Sequence, residues 1–201
     1  MGRTSDAKER LLCVAFDLIW TSSYGSVSVD TICERARVNK GSFYHFFPSK
    51  SDLAVAAYEE FWQQKRPLYD RVFSPQVPPL ERIAQWCELI YTGQKERADQ
   101  CGRVLGCPYA CLGAEMSTQD EKVRLKAEEV FARSCKYLES ALADAKREKL
   151  VDIKDPKATA ETIYAVVMGL LLQAKVRNEV EVLRDLEPTV MRLLGAKTVT
   201  T

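Results

Sequence analysis

Apolar residues recur every three or four positions along almost all of this chain, and no run keeps the period of two that a half-buried strand requires. That pattern restricts the fold to packed helices. Over residues 7–20, Leu11, Leu12, Ala15, Phe16, Leu18 and Ile19 form one stripe with Arg10 and Asp17 opposite, which predicts an amphipathic helix. Ser28, Asn39 and Ser49 each stand just before a further helical pattern, where a side-chain oxygen can accept from the free amides of a first turn. They predict helices over 29–36, 40–47 and from 50 onward, the second stopped by Pro48 and the third broken or kinked at Pro67.

Three prolines fall within residues 74–79, which makes that stretch the clearest hinge and the place for a boundary. Further helical patterns cover about 80–93, 108–116, 120–149, 156–177 and 183–194, with no internal repeat. The expected fold is all-α: a small N-terminal head of three helices over residues 1–53, then a larger helical body over 54–201.

Composition narrows the partners. An apolar share of 46% and a charged share of 28% suit a folded globular chain. A net charge of +1 gives no bulk attraction to a polyanion, so any nucleic-acid role must rest on a local motif. The opening residues lack an apolar leader, and the greasiest run, 163–172, contains Gly169 and is too short to span a bilayer. No membrane and a cytoplasmic location are expected. Seven cysteines, an odd number, then read as free thiols rather than a disulfide framework.

Two short helices joined by a tight turn at Arg37-Val38, with a longer helix before them, have the layout of a helix-turn-helix reader. On the second, Phe43, Phe46 and Phe47 share the core side while Lys40, Ser42, Tyr44 and His45 project from the other. Gly41 permits close backbone approach to another surface, and the helix starts at Asn39 and Ser49 offer amides to phosphate oxygens. Ser28, Lys40, Tyr44 and Lys50 can add side-chain phosphate contacts. On spacing alone, a plain three-helix packing unit fits equally well.

The run Val29-Asp30-Thr31-Ile32-Cys33-Glu34-Arg35-Ala36-Arg37-Val38-Asn39-Lys40-Gly41-Ser42-Phe43-Tyr44-His45-Phe46-Phe47-Pro48-Ser49-Lys50-Ser51-Asp52-Leu53 closely resembles the N-terminal signature of the TetR family of transcriptional regulators. The likeness covers about residues 7–53. It implies a repressor that reads double-stranded DNA as a homodimer, each subunit setting helix 40–46 into successive major grooves of a pseudo-palindromic operator. Family members contact DNA at positions matching Ser28, Lys40, Ser42, Tyr44, His45 and Lys50, and Arg37 is within reach of a phosphate. The resemblance further implies a body that binds a small-molecule effector and dimerises through the helices at about 120–149 and 156–177. The second of these has an apolar surface too broad for one core alone, although a central buried helix of a monomer would read the same way.

Residues 101–116 are rich in glycine and sulfur, and their Gly106-Cys107-Pro108 start and Leu-Gly-Ala-Glu-Met end resemble a segment of a TetR branch that includes electrophile-responsive repressors. Pro108 suits the first helical position, which makes Cys107 the N-cap, where the helix dipole favours thiolate. Cys111 follows one turn later and Cys101 precedes on a glycine-containing approach, so the three are the candidate redox residues. Trp86, Tyr109 and Tyr137 are candidates for lining an effector pocket, and plain core is their alternative. Spacings of five and three between the cysteines, without a second pair or a histidine beside them, make poor zinc geometry, so neither metal nor cofactor is expected. A cysteine-nucleophile enzyme at Cys107 lacks a partner base, since the single histidine, His45, lies in the head. A helical protein-interaction module is the other open reading.

Overall fold

The computed structural model describes residues 2–196 and consists of α-helices and one 3-10 turn, with no strand among the described residues. The helices are α1 (Gly2–Thr21), α2 (Val29–Ala36), α3 (Lys40–Phe46), α4 (Lys50–Val72), α5 (Pro79–Cys101), α6 (Pro108–Met116), α7 (Glu121–Arg147), α8 (Pro156–Arg177) and α9 (Leu186–Leu193), with the 3-10 turn at Val180–Asp185. Met1 and residues 197–201 lie outside the described residues, as do the side chains of 2–5, so the reading of the polar N-terminus stays one of sequence.

Two sequence expectations are corrected. Of the break or kink expected at Pro67, the break does not occur: α4 runs through it to Val72. The break is avoided because the flank from Gln63 to Pro67 is exposed, so water can serve the Gln63 carbonyl that loses its amide partner. Nor does α5 stop at Gly93; it continues to Cys101 and is capped by Gly102 in the left-handed region at φ 73°.

The described chain forms two compact units. The first takes residues up to 66 together with 108–130, and the second takes 67–107 together with 131 onward, so α4 and α7 each contribute to both. The proline-rich turn at 74–79 therefore lies inside the second unit and is not the boundary between units.

In the first unit Leu11 and Ala15 of the apolar stripe of α1 are fully buried, as are Ile32, Phe43 and Leu53. Burial of side chains this size contributes roughly 1.5–3 kcal/mol each. Phe16 stacks on Phe61 at 4.1 Å, and α6 packs Tyr109 edge-on to Tyr58 at 5.5 Å. A Cβ on Gly113 would come within 2.9 Å of the Ala127 Cβ, so glycine is what lets α6 pass α7 so closely.

In the second unit Ile83, Trp86, Leu138, Leu142, Ile163, Val167, Leu183 and Val190 form a continuous core. Gln94, buried on α5, exchanges two hydrogen bonds with the Gly106 backbone, 3.0 Å to its carbonyl and 2.9 Å from its amide. Asn178, the left-handed cap of α8, accepts from the Val104 amide at 2.9 Å. Residues 104–106, which lead to Cys107, are thus fixed from two helices.

By length and mean hydropathy α8 is the one described helix able to cross a membrane, a broader apolar segment than the 163–172 run suggests. Ala160, Ile163, Val167, Leu171 and Ala174 on one face are buried in the core of this unit. Core burial accounts for that face; the opposite one is taken up below.

Candidate nucleic-acid interface

Local capping builds the face. Ser28 accepts from the Thr31 amide at 3.0 Å to start α2, and Asn39 accepts from the Ser42 amide at 2.7 Å to start α3. Caps of this kind stabilise by about 1 kcal/mol each. Between them α2 closes on Arg37 in the left-handed conformation, φ 52° and ψ 46°, with its amide donating to Glu34 O. Arg10 of α1 donates to the Ala36 carbonyl at 3.0 Å, satisfying the end of α2. Ser49 and Asp52 form a reciprocal cap at the start of α4: the Asp52 amide donates to Ser49 Oγ at 3.1 Å, and Ser49 Oγ donates to the Asp52 carboxylate at 2.7 Å.

Seven residues suffice for α3 because Phe43 and the capping Phe47 are buried and fix its rotation. Phe46, expected beside them, is only half-buried and carries the His45 ring edge at 5.2 Å. Lys40, Gly41, Tyr44 and His45 are exposed on the other side, with Ser42 partly so, and Tyr44 keeps 52% of its surface accessible. Ser28 and Arg37 are exposed as well. Lys40 is not idle in the free protein: its ammonium pairs with Asp30 at 2.7 Å, and that hydrogen bond raises its pKa. Any anion that approaches Lys40 must therefore compete with this carboxylate.

Lys50 departs from its expected outward role. Its ammonium donates to the carbonyls of Tyr24 and Val27, both at 2.8 Å, and lies 3.9 Å from the centre of the Tyr24 ring. Burial lowers its pKa, with Glu115 acting in the opposite direction. The physical reason is that the turn closes weakly, with the Val27 amide on Tyr24 O at 3.4 Å, and a long cationic side chain from the next helix adds a donor to its carbonyls.

The candidate effector residues divide between the two units. Tyr109 and Cys111 belong to the first, where the Tyr109 hydroxyl donates to Tyr58 O at 3.2 Å and its ring completes an aromatic core. Trp86, Cys107, Tyr137 and Cys101 belong to the second. Trp86, Cys107 and Tyr137 share Tyr69 as a neighbour: burial pushes its phenol up to about 12, with the Trp86 indole opposing and Cys107 and Tyr137 adding to the rise. Tyr164 is driven well above its ordinary value by burial, again with Cys107 beside it. Tyr137 donates to Asp70. Tyr69 escaped the sequence reading because Pro67 was taken to interrupt its helix.

Among the thiols, Cys87 is pushed up to about 12 by burial, and Cys33 and Cys135 are raised for the same reason. Cys101 is exposed and its thiol donates to Arg97 O at 2.9 Å and Arg103 O at 3.3 Å. Cys107 is partly exposed and directly precedes the first residue of α6. No cluster of three or more His, Cys, Asp or Glu side chains suited to a metal occurs among the described residues.

Comparison with known proteins adds an independent line. The family model for bacterial regulatory proteins of the tetR family matches residues 11–57, and that for the tetracyclin repressor-like C-terminal domain matches 79–189. A helix-turn-helix transcriptional regulator of Lactococcus lactis is 29% identical over 96% of both chains. The transcriptional regulator AcuR of Cereibacter sphaeroides is 31% identical over 84% of this chain and 76% of its own. The crystal structure of the reduced form of Escherichia coli NemR superposes with a TM-score of 0.82 at 25% identity, covering 96% of this chain and all of that one.

Proposed function

Because the chain belongs to the TetR family of bacterial regulatory proteins, we propose that it is a cytoplasmic repressor that holds a pseudo-palindromic operator as a homodimer and is released by a small-molecule effector or by modification of Cys107. DNA reading falls to residues 1–53, and effector binding and dimerisation to 54–201. The observation that carries the reading is the exposed edge of α3: Lys40, Tyr44 and His45 are accessible while Phe43 and Phe47 anchor the helix from behind. Tyr44 and Ser42 are assigned to base edges, and Ser28, Arg37, Lys40 and His45 to phosphates, with Gly41 allowing the backbone close. Lys50 acts indirectly, through the turn it braces.

A mobility-shift titration on DNA flanking the protein's own gene tests this. Tyr44→Ala should weaken binding by roughly tenfold or more, the range of one lost base contact. Asp30→Asn, which frees Lys40, should act the other way, tightening binding several-fold and steepening the salt dependence by about one ion. Unchanged affinity in Tyr44→Ala would count decisively against the assignment of α3.

For Cys107 the support is its place at the start of α6 beside Tyr69 and Tyr164, while burial raises the pKa of Cys33, Cys87 and Cys135. The solved NemR relative is described in a reduced form, which accords with a redox distinction in that protein. In a Cys13→Ser/Cys101→Ser chain, N-ethylmaleimide should lower operator affinity several-fold, and Cys107→Ser should abolish the response. A response that survives Cys107→Ser would end the assignment.

A further inference from the structure

The turn between α1 and α2 is held by a carboxylate from far along the chain. Glu115 of α6 accepts the Tyr24 amide on Oε2 at 2.9 Å and the Gly25 amide on Oε1 at 2.7 Å. From the other side Lys50 takes the Tyr24 and Val27 carbonyls, both at 2.8 Å. Both polar edges of the turn are thus occupied by charged groups, and the next residue, Ser28, is the cap of α2. The grip is close-fitting: a Cβ on Gly25 would lie 3.3 Å from Glu115 Oε1.

Nothing about α6 itself calls for an acid here. Glu115 sits in its last turn, where the negative end of the helix dipole disfavours a carboxylate. Charge-assisted bonds to two turn amides compensate, so the turn and not the helix accounts for the residue.

We propose that Glu115 is a positioning residue for DNA reading: from α6 it sets the turn that aims α2 and α3, so operator affinity depends on a carboxylate that faces the turn and touches no DNA. Gly113 supports this, because it seats α6 against Ala127 two residues before the clamp. Anything that shifts α6 is then felt at Ser28. The inference rests on α3 being the reading helix, which Tyr44→Ala tests by itself.

The sign of one substitution separates positioning from plain charge. Glu115→Gln removes a negative charge from a DNA-binding unit, which on electrostatics alone tightens binding to any duplex. Positioning gives the opposite result: operator affinity falls about tenfold, binding to unrelated duplex is not weakened, and hydrogen exchange at the Tyr24 and Gly25 amides speeds up at least tenfold. Gly25→Ala crowds the same clamp with every charge kept, should likewise lower operator affinity, and carries the test if the glutamine variant does not fold. Operator affinity that is unchanged or higher in the folded variants, or amide protection retained in Glu115→Gln, overturns the proposal.

Discussion

Replacing Arg82 with alanine is expected to lower the stability of the second unit by about 3–5 kcal/mol, the usual cost of breaking a buried ion pair from one side. The guanidinium side chain is 3% exposed and meets three acceptors: Val77 O at 2.7 Å, Pro75 O at 3.1 Å and the Asp144 carboxylate at 2.6 Å. Truncation leaves two turn carbonyls without donors, and Asp144 keeps only Arg147, at 2.7 Å, on a side chain that is 69% exposed. Lysine should recover little, since one ammonium cannot reproduce the fork that reaches all three. The hydrogen bond from Arg82 holds the Asp144 carboxyl below its ordinary value. A depressed carboxyl stabilises fully above its unfolded pKa, so the pair's contribution is complete at neutral pH and fades only as pH falls below the ordinary carboxylate range. Urea unfolding followed by circular dichroism reads the loss, and a drop of less than about 1 kcal/mol would show that the proline-rich turn holds without its arginine.

Arg82 also marks the limit of what the sequence discloses. Capping is local, so Ser28, Asn39 and Ser49 identify the starts of α2, α3 and α4 from neighbours three residues away. The expected span 156–177 matches α8, where the structure adds Asp155 as the cap of its first turn. The exposed edge of α3 was legible for the same reason: Phe43 and Phe47 set the rotation, and the exposure of Tyr44 and His45 follows from it.

What the sequence does not disclose depends on partners distant along it. The proline-rich stretch reads as a hinge until Arg82 and Asp144, 62 residues apart, are seen to pin it. Lys50 reads as a phosphate ligand until its ammonium is found on carbonyls 23 and 26 residues earlier. Tyr109 has the composition of a pocket residue, and α6 delivers it to the aromatic core around Tyr58, where the two rings also line a small cavity with Leu112 and Val123. Glu115 stands in the Leu-Gly-Ala-Glu-Met segment, but nothing there discloses its contact, because its partners are backbone amides 90 and 91 residues away.

The outer face of α8 supports the second large effect. Ala158, Thr162, Ala165, Gly169, Leu172 and Val176 follow one another at alternating steps of four and three, the spacing of a helix–helix seam. The first four are small enough for another backbone to come close, and Leu172 and Val176 then stand out of the unit with 60% and 77% of their surface accessible. Along the second-unit part of α7, Ala132, Lys136, Ser140 and Ala143 are exposed, so two mostly small-residue faces are open to a second copy. In a two-fold interface each substitution counts twice. Leu172→Glu/Val176→Glu removes four buried side chains, at roughly 1.5–3 kcal/mol each, and sets four carboxylates against one another. The double variant should fold, since neither residue belongs to the core, but should sediment as a monomer at micromolar concentration. Its operator affinity should fall at least about 100-fold, because a single head loses the gain from engaging two half-sites together. A variant that remains dimeric would place the subunit contact elsewhere, and a monomer that binds as tightly as the parent would mean that the operator is not read by paired heads.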